Sequence, residues 1–337
     1  MASFGARIIV TRTPLRVSFA GGGTDLPAFY EREPGAVFST AISSYVWVTI
    51  KPHSELFFEP IRLNYSKSEE VQTVDEIEND IARECLKFLG IEPPIYISTV
   101  GDLPASSGVG GSSAFAVGLL NALHAYRGER VGPGRLAEEA SHIEIEVLKQ
   151  PIGKQDQYAA AFGGLNYFSF RSDGSVLVEQ KHVDDAALER LFDSLMMFWT
   201  GHQRSAESVL AEQQRNTGEK MAGLRKMRDH AQQLQALVSN GRLDVVDFGR
   251  VLDEGWQLKR DLASSITNPL LDGWYQRAID AGAVGGKLCG AGGGGFLLFV
   301  VEADKQHRVR EALSDLLEVP IAHEVHGSQV IVPAAGS

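Results

Sequence analysis

Asp102-Leu103-Pro104-Ala105-Ser106-Ser107-Gly108-Val109-Gly110-Gly111-Ser112-Ser113-Ala114 runs without a break into an apolar stretch that ends near His124. From Ala105 to Ala114 nearly every side chain is small, so backbone N–H groups stand unobstructed. The helix that follows adds the positive end of its dipole. Those two features together make a cradle for a polyphosphate. Ser113, at the helix start, can also offer its hydroxyl to a magnesium ion, as the Ser/Thr of other phosphate loops does. A plain Gly/Ser turn with a capping serine is the competing reading. A flexible turn has no need of so apolar a helix behind it, and the periodicity of Ser112–His124 implies burial on all sides.

Two more glycine clusters flank this segment. Upstream, Thr13-Pro14-Leu15-Arg16-Val17-Ser18-Phe19-Ala20-Gly21-Gly22-Gly23-Thr24-Asp25 takes a strand into three glycines. Backbone without Cβ atoms lets a ligand approach, and Asp25 can accept hydrogen bonds from hydroxyls. A glycine turn with Asp25 as a helix cap fits equally well, so the residues alone leave both readings open. Downstream, Gly290-Ala291-Gly292-Gly293-Gly294-Gly295 contains G-x-G-x-x-G, but strand-like Phe296–Val301 follows where a dinucleotide fingerprint must open a helix. Lys287 is followed by Leu288 and lacks the upstream glycine of a Walker loop. A glycine hairpin pressed against another loop or a ligand is the better account, with Gly292 and Gly293 as its ligand-facing backbone.

Glu144-Ile145-Glu146 lies on an amphipathic helix whose stripe is Leu136, Ala140, Ile143 and Val147. Wheel geometry puts the two glutamates on opposite sides of that stripe and does not choose between them. Asp156, in Gly153-Lys154-Gln155-Asp156-Gln157, reads as a general base or as an N-cap.

The wider sequence sets limits. A chain of 337 residues exceeds the usual single core. Strand patterns dominate early (8–13, 37–42, 45–52, 95–100, 163–170), with a helix at 77–89. Helical patterning dominates 202–263, with breaks expected near Thr217–Gly218 and Asn240–Gly241. A helix at 269–281 follows, then strands at 283–288, 296–301, 321–325 and 329–332 around a helix at 304–317. The expected division is 1–190 and 191–337. A formal net charge of −11 argues against a nucleic-acid partner, which demands basic surface. The apolar stretches are too short to span a bilayer, and the chain starts into a strand without a signal-peptide core. Cys85 and Cys289 have no partners at metal or disulfide spacing, which fits a reduced cytoplasm.

The three glycine segments, in this order, resemble the GHMP kinases, the superfamily of galactokinase, homoserine kinase, mevalonate kinase and phosphomevalonate kinase. Thr13 through Asp25 resembles the family's first motif. Pro104 through Ala114 resembles its Gly-Leu-Gly-Ser-Ser-Ala phosphate loop, with Val109 for Leu and one extra glycine, Gly111. Lys287 through Gly295 resembles its third. The resemblance implies an α+β fold of two domains, an N-terminal domain like ribosomal protein S5 and a C-terminal ferredoxin-like one, with ATP and acceptor meeting between them. It implies ATP phosphates on Gly108, Val109, Gly110, Gly111, Ser112 and Ser113, and Mg²⁺ on Ser113 and Glu146. It makes Asp156 the group that takes the acceptor's proton, with Arg16 beside it. Ala20 through Pro27, Gly153 through Tyr158, and Thr200-Gly201 followed by Arg204 resemble the branch acting on heptose 7-phosphate. That likeness makes Gly22, Gly23, Thr24 and Asp25 acceptor contacts, and Lys154 and Arg204 the cations for its phosphate. A small-molecule partner, a sugar or sugar phosphate, is therefore expected. A catalytically dead sensor, an S5-like RNA binder and a dehydrogenase are the rivals. The intact Asp156 and serine loop, the acidic charge, and the strand after the third glycine cluster speak against each in turn.

Overall fold

The computed structural model describes residues 8–203, 206–239 and 243–332. The chain order is β1 (Ile9–Ala20), α1 (Pro27–Tyr30), β2 (Gly35–Pro52), β3 (Ile61–Asn64), β4 (Ser68–Val71), α2 (Asp80–Leu89), β5 (Ile95–Gly101), α3 (Gly111–Tyr126), α4 (Pro133–Ser141), a π-helical turn (His142–Val147), α5 (Gln155–Phe162), β6 (Leu165–Phe170) and β7 (Val176–Gln180). There follow α6 (Asp185–Ser194), β8 (Leu195–Trp199), α7 (Ala206–Ser239), α8 (Val245–Arg260), α9 (Pro269–Ala281), β9 (Gly285–Leu288), β10 (Phe296–Val300), α10 (Gln306–Ala312), β11 (Leu317–Val319) and β12 (Gln329–Val332).

The first sheet has eight strands in the order β12-β1-β2-β5-β3-β4, with β6 and β7 continuing from the other half of β2. The sequence reads 37–42 and 45–52 as separate strands, yet they are one strand, β2. Its pairing with β1 slips between Pro14 and Leu15, and this irregularity is what the polar Ser43-Ser44 break in the pattern marks. Helix α3 lies against β1 and β2, buried from Ser113 through Leu120 and again from Ala122 to His124.

The second sheet is antiparallel in the order β11-β8-β10-β9, the ferredoxin-like arrangement built from β8, three helices, a hairpin, α10 and β11. Two expectations need correction. Helix α7 runs unbroken through Thr217–Gly218, because Thr217 turns its hydroxyl back to the Gln213 carbonyl at 3.0 Å and Gly218 stays in helical register. The 240–241 break falls outside the described residues. The strand expected at 321–325 reduces to a single bridge between His323 and Ile42. Beyond it β12 pairs with β1, so the second half of the chain returns its last strand to the first sheet, across the expected 190/191 division. That return ties the two halves together at the edge of β1, the strand that carries Arg16.

Candidate active site

The second and third glycine clusters meet because only glycine fits where their loops cross. A Cβ on Gly108 would stand 2.5 Å from the Cys289 carbonyl oxygen, and one on Gly290 would stand 2.3 Å from the Gly108 Cα. The β9–β10 hairpin loop thus presses on the phosphate loop as expected. Gly292 and Gly293 do not face the cleft, however. The Gly293 N–H donates to the Ile266 carbonyl at 2.8 Å, and Gly292 packs against the Ile266 backbone, so both pin the loop to the α8–α9 connection.

Along the phosphate loop Gly108 and Gly110 adopt positive φ, and Gly110 leads into α3. Gly108, Gly110, Gly111, Ser112 and Ser113 line a cleft of about 350 Å³. Val109 is the exception: its side chain is buried in the core, and its carbonyl accepts the Arg16 backbone N–H at 3.0 Å. Its role is to fasten the loop to β1.

Arg16 and Asp156, 140 residues apart, form a forked ion pair across the cleft floor. Arg16 Nε donates to Asp156 Oδ1 at 2.7 Å and Nη2 to Oδ2 at 2.8 Å, while Nη1 holds the Gly108 carbonyl at 2.7 Å. The guanidinium is almost fully buried and the carboxylate is a quarter exposed, so Asp156 keeps lone pairs open to the cleft. Asp25 lies nearby, accepting the Gly23 N–H and the Gln155 side-chain N–H, each at 2.9 Å. Burial pushes its carboxyl pKa up, and the charge of Asp156 adds to that.

Gly22 and Gly23 line the cleft beside Asp25. Thr24 does not. Its hydroxyl lies 2.8 Å from the Gly21 carbonyl and 2.9 Å from that of Ala36, and it accepts the Ala36 N–H at 3.0 Å, so it locks the turn from behind.

The glutamates resolve differently from the expectation. Glu146 is exposed and lies 3.8 Å from the Lys149 ammonium, away from the cleft. Glu144 is fully buried, accepting from Ser112 Oγ at 2.9 Å and Gln157 Nε2 at 2.6 Å. The cause is the π-helical turn, where the Leu148 N–H bonds the Ile143 carbonyl five residues back and rotates Glu144 inward. Burial lifts its carboxyl to about 7. No cation among the described residues pairs with it, so the residues fit a bound divalent ion. One carboxylate plus a serine hydroxyl is a sparse protein donor set, which suits a magnesium ion that takes its other ligands from phosphates and water.

The expected phosphate-binding cations are not where the sequence puts them. Lys154 donates to the Gly174 carbonyl at 2.7 Å, over the Tyr30 ring, outside the cleft. Arg204 lies outside the described residues. Instead Lys259 and Lys287 line the cleft. Lys259 holds the Gly290 carbonyl, and Lys287 holds the Ser18 and Phe19 carbonyls at 2.5 and 3.2 Å. Burial, aided by the charge of Lys287, lowers Lys259 to about 7, and burial lowers Lys287 to about 8. Nothing in the local sequence singles out Lys259, which sits near the end of α8.

Two family models match the chain: the GHMP kinases N terminal domain over residues 63–164 and GHMP kinases C terminal over 231–319. A D-glycero-alpha-D-manno-heptose 7-phosphate kinase of Campylobacter jejuni is 30% identical over 91% of this chain and 93% of its own. A galactokinase of Pyrococcus furiosus is 25% identical over 90% and 92%. Among solved structures, a D-glycero-D-manno-heptose 1-phosphate kinase from Bacteroides thetaiotaomicron superposes with a TM-score of 0.78 at 26% identity, covering 95% of this chain and 98% of that one.

Proposed function

The chain belongs to the GHMP kinases, and within that family we propose that it transfers the γ-phosphate of ATP to the anomeric hydroxyl of a sugar phosphate, D-glycero-D-manno-heptose 7-phosphate, giving the 1,7-bisphosphate. The observation that carries the reading is the forked Arg16–Asp156 pair, facing a phosphate loop that opens a buried helix. In the proposed step Asp156 takes the proton of the acceptor hydroxyl. The freed oxygen bonds to the γ-phosphorus, the bridging P–O bond breaks, and ADP leaves with the electron pair. Arg16 fixes Asp156 in place and holds the Gly108 carbonyl, so base and phosphate loop keep one register. The amides from Gly108 to Ser113 stabilise charge on the transferring group, the main task in a loose phosphoryl-transfer transition state. Ser113 and Glu144 would hold magnesium, which neutralises phosphate charge when bound.

The choice of acceptor rests on three supports: the heptose phosphate kinases among the relatives, the side-chain-free backbone at Gly22–Gly23, and buried cations in an acidic chain. Fucose- and galactose-directed relatives keep a neutral hexose as the second reading. The test compares kcat/KM for heptose 7-phosphate, free heptose, fucose and galactose. The proposal expects the phosphorylated heptose to lead by roughly 10²-fold, the scale of one desolvated charge–phosphate contact. A lead for any unphosphorylated sugar would overturn it.

Lys259 and Lys287 supply positive charge to the anionic reactants in this account, and their lowered pKa values set a pH signature. A lysine holds phosphate only when protonated, so affinity weakens as pH rises through about 7 and 8. The KM for the anionic reactant is expected to rise several-fold between pH 7 and pH 9, on the scale of one pKa unit per tenfold. Stability of the free protein has the opposite sign. A lysine depressed below its unfolded value of about 10.5 penalises the folded state when charged, so Tm should climb over the same window. A flat KM profile would remove both lysines from anion binding.

A further inference from the structure

Four residues that line the cleft each carry a buried polar atom without a partner among the described residues: Ser18 Oγ, Gln155 Oε1, His230 Nδ1 and Trp256 Nε1. Folded proteins satisfy nearly all such atoms, so four in one cavity point to a missing ligand. Their chemistry narrows what that ligand is. The Gln155 amide nitrogen is committed to the Asp25 carboxylate, which leaves its oxygen as an acceptor. His230 turns Nε2 toward Glu254 Oε2 at 3.3 Å, which places the proton there and leaves Nδ1 as a second acceptor. Trp256, 1% exposed on α8, has an indole N–H that can only donate. Two acceptors and one obligate donor cannot all be met by a phosphate dianion, which has no proton to give, or by a methyl group. Hydroxyl groups, which donate and accept at once, meet all three.

We propose that Gln155, His230 and Trp256 form a hydroxyl-reading wall that selects acceptors carrying free hydroxyls at the carbons facing α5, α7 and α8 and rejects their deoxy counterparts. The wall is a specificity device separate from the Arg16–Asp156 pair, and the inference rests on the acceptor being a sugar but not on its being a heptose. Gly255 supports the assignment. It sits inside α8, where glycine is less favourable than alanine, and a Cβ there would meet nothing within 4 Å except His230 Nδ1 at 3.7 Å. A methyl group at that point would cover the acceptor atom without straining the helix.

The experiment takes the best substrate of the sugar panel and its monodeoxy analogues as probes, and measures kcat/KM, the KM for ATP, and Tm. In the wild-type protein at least one deoxy analogue should lose about 10²-fold or more, since a site built to hydrogen-bond a hydroxyl strongly rejects the analogue lacking it. Trp256→Phe should cost the parent sugar about tenfold while changing that deoxy analogue little, the pattern of a coupled pair in a double-mutant cycle. Gly255→Ala should keep or raise Tm and leave the KM for ATP unchanged, while the KM for the sugar rises roughly tenfold through the covered nitrogen. A merely structural role would move Tm and both KM values together. Deoxy analogues all within threefold of the parent, or an unaltered sugar KM in Gly255→Ala, would overturn the wall while leaving the kinase reading standing. Failure to phosphorylate any sugar would overturn both.

Discussion

Asp156→Asn lowers kcat by at least about 10²-fold, and by as much as roughly 10⁴-fold, while ATP binding stays near normal. The lower bound corresponds to about 2.7 kcal/mol of lost transition-state stabilisation. The asparagine keeps the size of the side chain but removes its basicity, and it turns an N–H donor toward the guanidinium of Arg16. ATP affinity is spared because the phosphate loop is fastened independently, through Val109 to the Arg16 backbone and through Gly108 to Gly290. Single-turnover kinetics at saturating ATP measure the chemical step, and nucleotide titration measures the spared binding. Wild-type turnover in Asp156→Asn would remove the residue from the chemistry.

Glu144→Ala is the second large effect: half-saturation in Mg²⁺ should rise about tenfold or more, with kcat down by roughly 10²-fold. Glu146→Ala should change neither. The contrast follows from placement. Glu144 is buried against Ser112 and Gln157 with its carboxyl raised to about 7, so burial disfavours its charge unless a cation binds in place of the proton. The Glu146 side chain is about two-thirds exposed beside Lys149. Activity measured against Mg²⁺ at fixed ATP separates them, and the reverse ranking would return the metal to Glu146.

The glycine-serine loop and the buried helix it opens were legible in the sequence because their physics is local. Small residues and an all-apolar helix are properties of adjacent positions, and they survive any tertiary rearrangement. The same holds for α9, expected at 269–281 and found there, and for the third glycine cluster, which the strand at Phe296 forces into a hairpin. What was not legible depends on geometry that a regular wheel cannot carry. A 3.6-residue period leaves Glu144 and Glu146 equivalent, and only the π-helical turn breaks the tie. Thr24 is expected as an acceptor contact only through the family likeness, yet its hydroxyl is consumed by backbone on the far side of the turn. Lys154 sits in a motif-like loop but reaches outward, whereas Lys259 and Lys287 enter the cleft from the second half of the fold. Lys287 heads the third motif-like segment, but that it and Lys259 enter the cleft comes from how the halves pack, a long-range fact.

The most direct test of the central claim is ³¹P NMR of the product formed from ATP and heptose 7-phosphate. The account predicts a new phosphomonoester resonance coupled to the anomeric proton, with the 7-phosphate signal retained and one ADP released per bisphosphate formed. Transfer to a hydroxyl other than C1, or no transfer to this acceptor while an unphosphorylated sugar is converted, would contradict it.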